Sequence, residues 1–322
     1  MVQKMNKPTL AIVIPCYNEE EVIETTVNRL FEVLDDLSNR DIVDKNSFIY
    51  LVNDGSSDNT WEIIEKLHSH NPKKLKALNF SRNFGNQRAI LAGLLEVRKY
   101  NIDCCITLDA DLQQDENKIE EFVQKYKDGA HIVCGIRNDR ETDDFMKKHS
   151  ALAFYKVMNM LGVKIKPNHS DFRLTSKQVL NILGEYREVN LFLRGIFYEF
   201  GYKTEYVYFD VKPRAAGVSK FSAWDLFSLA AKGITSFSVV PLRTVTFVGI
   251  FMSLISFILG LDVIWEKFHN TYTLPGWSTL VVAITFIGGI QILCLGVIGE
   301  YLGQLFQEVK SRPRYIIQAE LS

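Results

Sequence analysis

The sequence predicts an α/β protein with a mostly parallel sheet, followed by an interfacial helix and two membrane-crossing helices. Three observations predict it. Apolar runs alternate with helical periodicity between residues 10 and 127, four of those runs end in polar clusters, and two long apolar stretches lie near the C-terminus. With 322 residues, 47% of them apolar and 23% charged, the chain has the material for a large core, which excludes a mini-scaffold and global disorder.

Leu10 to Pro15 is a continuous apolar run, as expected of a strand buried on both faces. Val22, Ile23, Val27, Leu30, Val33, Leu34 and Leu37 then mark one face of a helix over Glu19 to Leu37. Phe48 to Val52 is the next strand, and Ser57, Asp58 and Asn59 offer caps for a helix from Thr60 to His68. Leu75 to Asn79 and Cys104 to Leu108 supply two further strands, with helices expected over Gln87 to Arg98 and Lys118 to Lys127. In parallel α/β sheets, ligands bind at the carboxyl ends of the strands near a reversal of strand order. The polar clusters Cys16-Tyr17-Asn18-Glu19, Asn53-Asp54-Gly55-Ser56, Ser81-Arg82-Asn83 and Asp109-Ala110-Asp111 stand at those ends.

Thr244 to Ile264 carries one charge, Asp262, and Ser278 to Gly299 carries none, and each is long enough to cross a bilayer as a helix. Arg243 precedes the first, and Lys310, Arg312 and Arg314 follow the second. The positive-inside rule therefore places both termini in the cytoplasm. Trp265, Tyr272 and Trp277 suit an aromatic belt around the intervening loop, and no signal peptide is expected at Met1 to Pro8. Phe221, Trp224, Phe227, Ala231, Ile234 and Phe237 recur at helical steps, which fits a helix on the membrane surface or one packed on the domain core. The expected organisation is a cytosolic domain over 1–217, juxtamembrane helices over 218–242, a two-helix membrane domain over 243–302 and a cytosolic tail over 303–322.

The net charge of −1 conceals a polarity. Residues 1–120 carry 14 Lys+Arg against 20 Asp+Glu, and residues 121–240 carry 18 against 13. A basic excess of this size is ordinarily a solvated face, and no nucleic-acid partner is expected. Five cysteines without CxxC or Cys/His spacing read as reduced thiols with no structural zinc.

Asp109 and Asp111, two positions apart past an apolar strand, share a face and can direct oxygens at one hard cation, although a solvated turn has the same spacing. Asp54 can reach a base edge or ribose, or serve an ordinary Asp-Gly turn, and Tyr17 and Glu19 suit a nucleoside only in combination with it.

Taken together, Ile14-Pro15-Cys16-Tyr17-Asn18-Glu19-Glu20, Asn53-Asp54-Gly55-Ser56-Ser57-Asp58, Ser81-Arg82-Asn83-Phe84-Gly85, Asp109-Ala110-Asp111-Leu112-Gln113 and Asp171-Phe172-Arg173-Leu174 resemble glycosyltransferase family two in order and spacing. With the apolar stretches, the chain is similar to the polyisoprenyl-phosphate branch, which includes dolichol-phosphate mannose synthases and, closer to this sequence, bacterial bactoprenyl glucosyltransferases. The resemblance spans nearly the whole length. It implies a GT-A (Rossmann-like) catalytic domain, a nucleotide-sugar donor, Mg²⁺ or Mn²⁺, and inverting transfer to polyisoprenyl phosphate at the plasma membrane. By the same resemblance Pro15, Tyr17, Glu19 and Asp54 hold the nucleoside, Arg82 to Gly85 line the donor pocket, Asp109 contacts donor phosphate or sugar, and Asp111 with Gln113 holds the metal. Asn86-Gln87-Arg88 departs from the lysine and small residues common in relatives.

Asp171 matches the family's proposed base. A lipid monophosphate has a second pKa of about 6 and is already nucleophilic, so Asp171 is expected chiefly to position acceptor or sugar. Arg137, Arg140, Arg214, Ser219 and Lys220 match positions that contact the acceptor phosphate, which gives the basic excess a role. The resemblance favours UDP-glucose, with UDP-N-acetylglucosamine next. It also implies a homotetramer through the spans, where Gly288, Gly289, Gly296 and Gly299 allow close helix contact. A processive polysaccharide synthase would bring more spans and a QxxRW-type stretch. A membrane-tethered nucleotide-sugar sensor without turnover would not need Asp171, Arg137 and Arg214 together, and a channel or flippase fits a mostly soluble chain poorly.

Overall fold

The computed structural model describes residues 7–138, 169–189, 193–211, 240–269 and 276–322. The first half alternates as the sequence predicts: β1 (Leu10–Cys16), α1 (Ile23–Asn39), β2 (Phe48–Asn53), α2 (Thr60–His70), β3 (Leu75–Phe80), α3 (Asn86–Val97), β4 (Cys104–Thr107) and α4 (Ile119–Lys127). Then come β5 (Ile132–Arg137), β6 (His169–Ser176), α5 (Lys177–Leu183), α6 (Leu193–Glu199), β7 (Thr204–Phe209), α7 (Val240–His269), α8 (Trp277–Val309) and β8 (Ile317–Leu321).

The eight strands form one sheet in the order β7-β5-β6-β4-β1-β2-β3-β8. Neighbours pair in parallel from β4 through β1 and β2 to β3, and again between β5 and β7. Strand β6 runs antiparallel between β4 and β5, and β8 runs antiparallel along β3. The chain winds outward from β1 to β3, then crosses back to place β4 on β1's other side. The reversal thus lies between β1 and β4, where the loops carrying Tyr17 to Glu19 and Asp109 to Asp111 emerge.

Alternation along β1 builds the two cores. Leu10, Ile12, Ile14 and Cys16 face one layer with Val27, Leu30 and Phe122, while Ala11 and Val13 face the other with Ile90, Leu94 and Val179. On the second face α3 lies so close that a Cβ on Gly93 would stand 2.3 Å from Val13 Cγ1 and 3.0 Å from Val52 Cγ2. Helix α1 begins at Ile23, later than the periodicity suggests. Asn18 adopts φ +53°, and the N–H groups of Asn18 and Glu19 donate to Ser56 Oγ and Thr60 Oγ1, both at 2.9 Å, so this stretch serves the sheet edge before the helix starts. Asp58, among the expected caps, accepts from the Thr60 N–H at 3.1 Å. Cys16, Cys104, Cys105 and Cys134 are buried and Cys294 is half-buried, all as free thiols. Burial pushes the thiols of Cys16, Cys104 and Cys105 up, away from reactive thiolates.

The chain divides into two compact units. Helices α7 and α8 lie in the second, while Arg312–Ser322 count with the sheet. Part of the expected tail is therefore the edge strand β8. Among the described residues one helical segment, Phe286–Val309, is long and apolar enough to cross a membrane. Its apolar side chains stand exposed, with Ile292, Leu293 and Leu295 each at least 66% accessible. The first apolar stretch is helical throughout as part of α7, in which a shorter apolar segment, Leu242–Met252, is described.

Candidate active site

Three loops at the carboxyl edge are laced together by their own polar groups. Asn18 Oδ1 accepts from the Ser57 N–H at 2.9 Å, and Glu20 Oε2 accepts from the Asn59 N–H at 3.0 Å, which ties the loop after β1 to the loop after β2. Asn53, at the end of β2, donates through Nδ2 to Asn79 Oδ1 at 2.7 Å and ties the second loop to β3. Asp54, only 2% exposed, accepts from the N–H of Phe84 at 2.7 Å and of Gly85 at 2.9 Å, one bond to each carboxylate oxygen. Burial raises its pKa, against the pull of those two N–H groups and of Arg88 and Arg82. Gly55 has φ +60°, and a Cβ there would lie 2.3 Å from the Arg82 carbonyl carbon, so this close approach requires glycine. Along this part of the edge stand half-buried Pro15 and Glu19, exposed Tyr17, and the Arg82–Gly85 loop, where the Arg82 guanidinium lies 4.1 Å from the Phe84 ring centre. Asp54's two described bonds hold this wall in place, and a carboxylate still offers further lone pairs to a ligand.

The loop after β4 is held from below and from the side. Thr26 Oγ1, on α1, donates to the Ala110 carbonyl at 2.6 Å, and Arg29 Nε meets Glu116 Oε1 at 3.1 Å. Leu112 adopts φ +52°, an uncommon conformation for a branched side chain, and turns the chain sharply after Asp111. The turn buries Gln114 and leaves Asp109, Asp111 and Gln113 half-buried. Gln114 Oε1 accepts from the Asp109 N–H at 3.1 Å, while its Nε2 donates to Asp109 Oδ2 and, at 3.2 Å, to Ser170 Oγ. Asp111 Oδ1 accepts from the Gln113 N–H at 3.1 Å.

Strand β6 brings Asp171 to this edge, 9% exposed. Its carbonyl accepts from Thr107 Oγ1 on β4, and Gln87 Nε2 at the start of α3 donates to its Oδ2 at 3.4 Å. On the same face of β6, Arg173 lies with its guanidinium 4.1 Å from the Phe197 ring centre. Arg137 ends β5 half-buried, with a buried Nε that has no hydrogen-bond partner among the described residues. Arg140, Arg214, Ser219 and Lys220 lie outside the described residues, as does the stretch from Phe221 to Phe237.

The structure thus gathers Pro15, Tyr17, Glu19, Asp54, Arg82 and Gly85 on one side of the edge and links Asp109 to the strand of Asp171 on the other. Sequence spacing missed Gln114, Ser170 and Thr107. The first follows Gln113 directly, but only the turn at Leu112 shows which glutamine faces inward. Among the described residues no cluster of three His, Cys, Asp or Glu side chains offers a closed metal site. Asp109, Asp111 and the Gln113 amide are hard oxygen donors, a set that fits a divalent cation completed by water and phosphate oxygens.

Residues 11–184 match the family described as glycosyl transferase family 2. The uncharacterized glycosyltransferase YkoT of Bacillus subtilis is 44% identical over 99% of this chain and 94% of its own length. The bactoprenol glucosyl transferase of Shigella phage SfX is 38% identical over 96% of this chain and 99% of its own length. Among solved structures, a mannosyltransferase of Pyrobaculum calidifontis aligns over 96% of this chain and 88% of its own at 13% identity, with a TM-score of 0.46. The family match and the full-length similarity together show that the chain is a glycosyltransferase that belongs to glycosyl transferase family 2.

Proposed function

We propose that the protein transfers glucose from UDP-glucose to a polyisoprenyl phosphate, with inversion, producing a membrane-bound monosaccharide lipid. The observation that carries this reading is the joining of Asp109 to β6 through Gln114 and Ser170, beside the laced loops of the carboxyl edge. It occurs in a chain similar over 96% of its length to a protein named bactoprenol glucosyl transferase. UDP-N-acetylglucosamine is the next donor to test.

In this reading the loops of Tyr17, Glu19 and Asp54 take the nucleoside, and Asp109 fixes donor phosphate or sugar. Asp111 and Gln113 would hold Mg²⁺ or Mn²⁺, which would supply positive charge to offset that of the departing diphosphate. An oxygen of the lipid phosphate attacks the anomeric carbon as the bond to the diphosphate breaks, and UDP leaves. A dianionic phosphate brings no proton to remove, so Asp171 orients the reactants and accepts a proton only from the monoanion. The orphan Nε of Arg137 supports a cation at the acceptor phosphate, with Arg140, Arg214, Ser219 and Lys220 completing the set.

The return of β8 to the sheet supports two membrane spans. The sheet strands up to β7 and, after α8, Arg312–Ser322 belong to the same unit, so a crossing made between them must be matched by a return. With α8 as one crossing, α7 is the other in this reading. Arg243 before them and Lys310, Arg312 and Arg314 after them favour the cytoplasmic side of the plasma membrane. Association through the helices into a tetramer belongs to the same proposal.

The test is incubation of the detergent-solubilised protein with undecaprenyl phosphate, Mg²⁺ and a panel of nucleotide sugars, with glycolipid read by mass spectrometry and Asp111→Ala as control. One glycolipid from UDP-glucose, absent in the control, is the expected result. Donor binding without any product would make the protein a nucleotide-sugar sensor instead.

A further inference from the structure

The loop Ser81–Gly85 is held from two directions. From β2, Asp54 takes the N–H groups of Phe84 and Gly85. From the opposite side comes the C-terminal strand, which arrives after both long helices. Strand β8 pairs with β3 from Ala77↔Leu321 to Phe80↔Ile317, with an irregularity between Asn79 and Phe80. Beyond the last pair, the Ile316 carbonyl accepts from the Ser81 N–H at 3.0 Å. Tyr315 stacks on Phe80 with ring centres 5.0 Å apart and planes 20° apart, and Phe80 meets Phe84 edge-on at 5.6 Å. The strand is anchored further back, where Arg314 donates to the Tyr186 carbonyl.

Covering the edge of β3 would by itself account for β8. It does not account for the aromatic relay, which leads past the edge and into the loop on which Asp54 also acts. We infer that the C-terminal strand is a working part of the donor site, with Tyr315 as a positioning residue that holds the Arg82–Gly85 loop through Phe80 and Phe84. The inference rests on the reading that this loop lines the donor pocket. Offset stacked and edge-on ring pairs fix relative geometry as well as burying area, so removing the first ring of the relay frees the loop without removing any group that touches the donor. Burial and Glu96 push the Tyr315 hydroxyl up to about 12, so the ring stays neutral and phenylalanine reproduces its stacking face.

The experiment compares Tyr315→Ala, Tyr315→Phe and Leu321→Ala in the full-length detergent-solubilised enzyme. Leu321 pairs with Ala77 at the far end of β8 and packs on the opposite core face, so its truncation weakens the strand away from the relay. Donor KM, acceptor KM, kcat, melting temperature and amide exchange at Phe84 and Gly85 are measured for each. Tyr315→Ala is expected to raise donor KM about three- to tenfold, with kcat and acceptor KM within about twofold of wild type, and to speed exchange at both amides. Tyr315→Phe should restore all of these. Leu321→Ala should lower the melting temperature without moving donor KM. Equal shifts in donor KM from Tyr315→Ala and Leu321→Ala, unchanged exchange at Phe84 and Gly85, or faster exchange with no change in donor KM would each overturn the inference. If wild type binds no nucleotide sugar, the transfer reading fails and this inference falls with it; if wild type binds donor and Tyr315→Ala matches it, only the inference fails.

Discussion

On the β1–β2–β3 side of the edge, Asp54, Asp58 and Glu20 turn oxygens onto backbone N–H groups of neighbouring loops. On the β4–β6 side, described partners of Asp109 and Asp171 are the side-chain amides of Gln114 and Gln87. Backbone acceptors fix the shape of a wall, since each N–H is itself fixed by the chain. Side-chain donors ride on rotatable side chains, so Gln114 and Gln87 direct Asp109 and Asp171 without fixing the chain around them, which suits oxygens that act on a reacting group. The difference predicts which kinetic constant each region governs: donor affinity on the first side, turnover on the second.

The largest effect should come from removing the cation or its holder. Chelation, or Asp111→Ala, is expected to lower glycolipid formation about 10³-fold or more, with added Mg²⁺ or Mn²⁺ rescuing only the chelated wild type. Asp171→Asn should follow, with kcat down about 10²-fold and donor KM little changed. Initial rates across a pH series sharpen this: the deficit should persist at high pH, and recovery there would identify Asp171 as the missing proton acceptor. Gln114→Ala comes next at about tenfold to 10²-fold in kcat, because it releases Asp109 from two bonds and Ser170 from a third without removing a carboxylate. If Gln114→Ala raised donor KM and spared kcat, the division of labour between the two sides would be broken.

Asp54→Asn probes the other region. An amide oxygen can replace one acceptor, but its NH₂ then faces the second N–H, so the loop loses one clamp and gains a repulsive contact. Donor KM should rise about tenfold with acceptor KM unchanged, measured by varying UDP-glucose at saturating lipid.

How far the sequence revealed this arrangement depended on sequence distance. Strands β1, β2 and β4 are legible because Leu10–Ile14, Phe48–Val52 and Cys104–Ile106 are unbroken apolar runs, each buried on both faces. Strand β6 is not, because His169-Ser170-Asp171 and Arg173 are polar residues buried by tertiary packing and by one another. Strand β8 is a five-residue segment whose partner β3 lies more than 230 residues earlier, and no local pattern encodes that pairing. Asp109 and the strand of Asp171, which the structure joins through Gln114 and Ser170, each lie in a motif that the sequence displays. Gln114 was not legible, since the left-handed turn at Leu112 decides which of two adjacent glutamines turns inward.

Gln87 gives the smallest effect and the sharpest reading of the comparison. It is the second residue of α3, two after Gly85, so its backbone belongs to the donor side, while its Nε2 lies 3.4 Å from Asp171 Oδ2 on the acid side. The bond is long, and Gln87 Oε1 is buried with no hydrogen-bond partner among the described residues. Gln87→Leu therefore loses a weak contact and also relieves an unsatisfied carbonyl, so kcat should fall only about two- to fourfold. Double-mutant cycles decide to which side the residue answers. In an Asp171→Asn background the Gln87→Leu effect should vanish, because the contact it removes is already altered; in an Asp54→Asn background it should persist in full. Persistence beside Asp171→Asn, with loss beside Asp54→Asn, would mean that Gln87 acts through the donor loop and that the two sides are one mechanical unit.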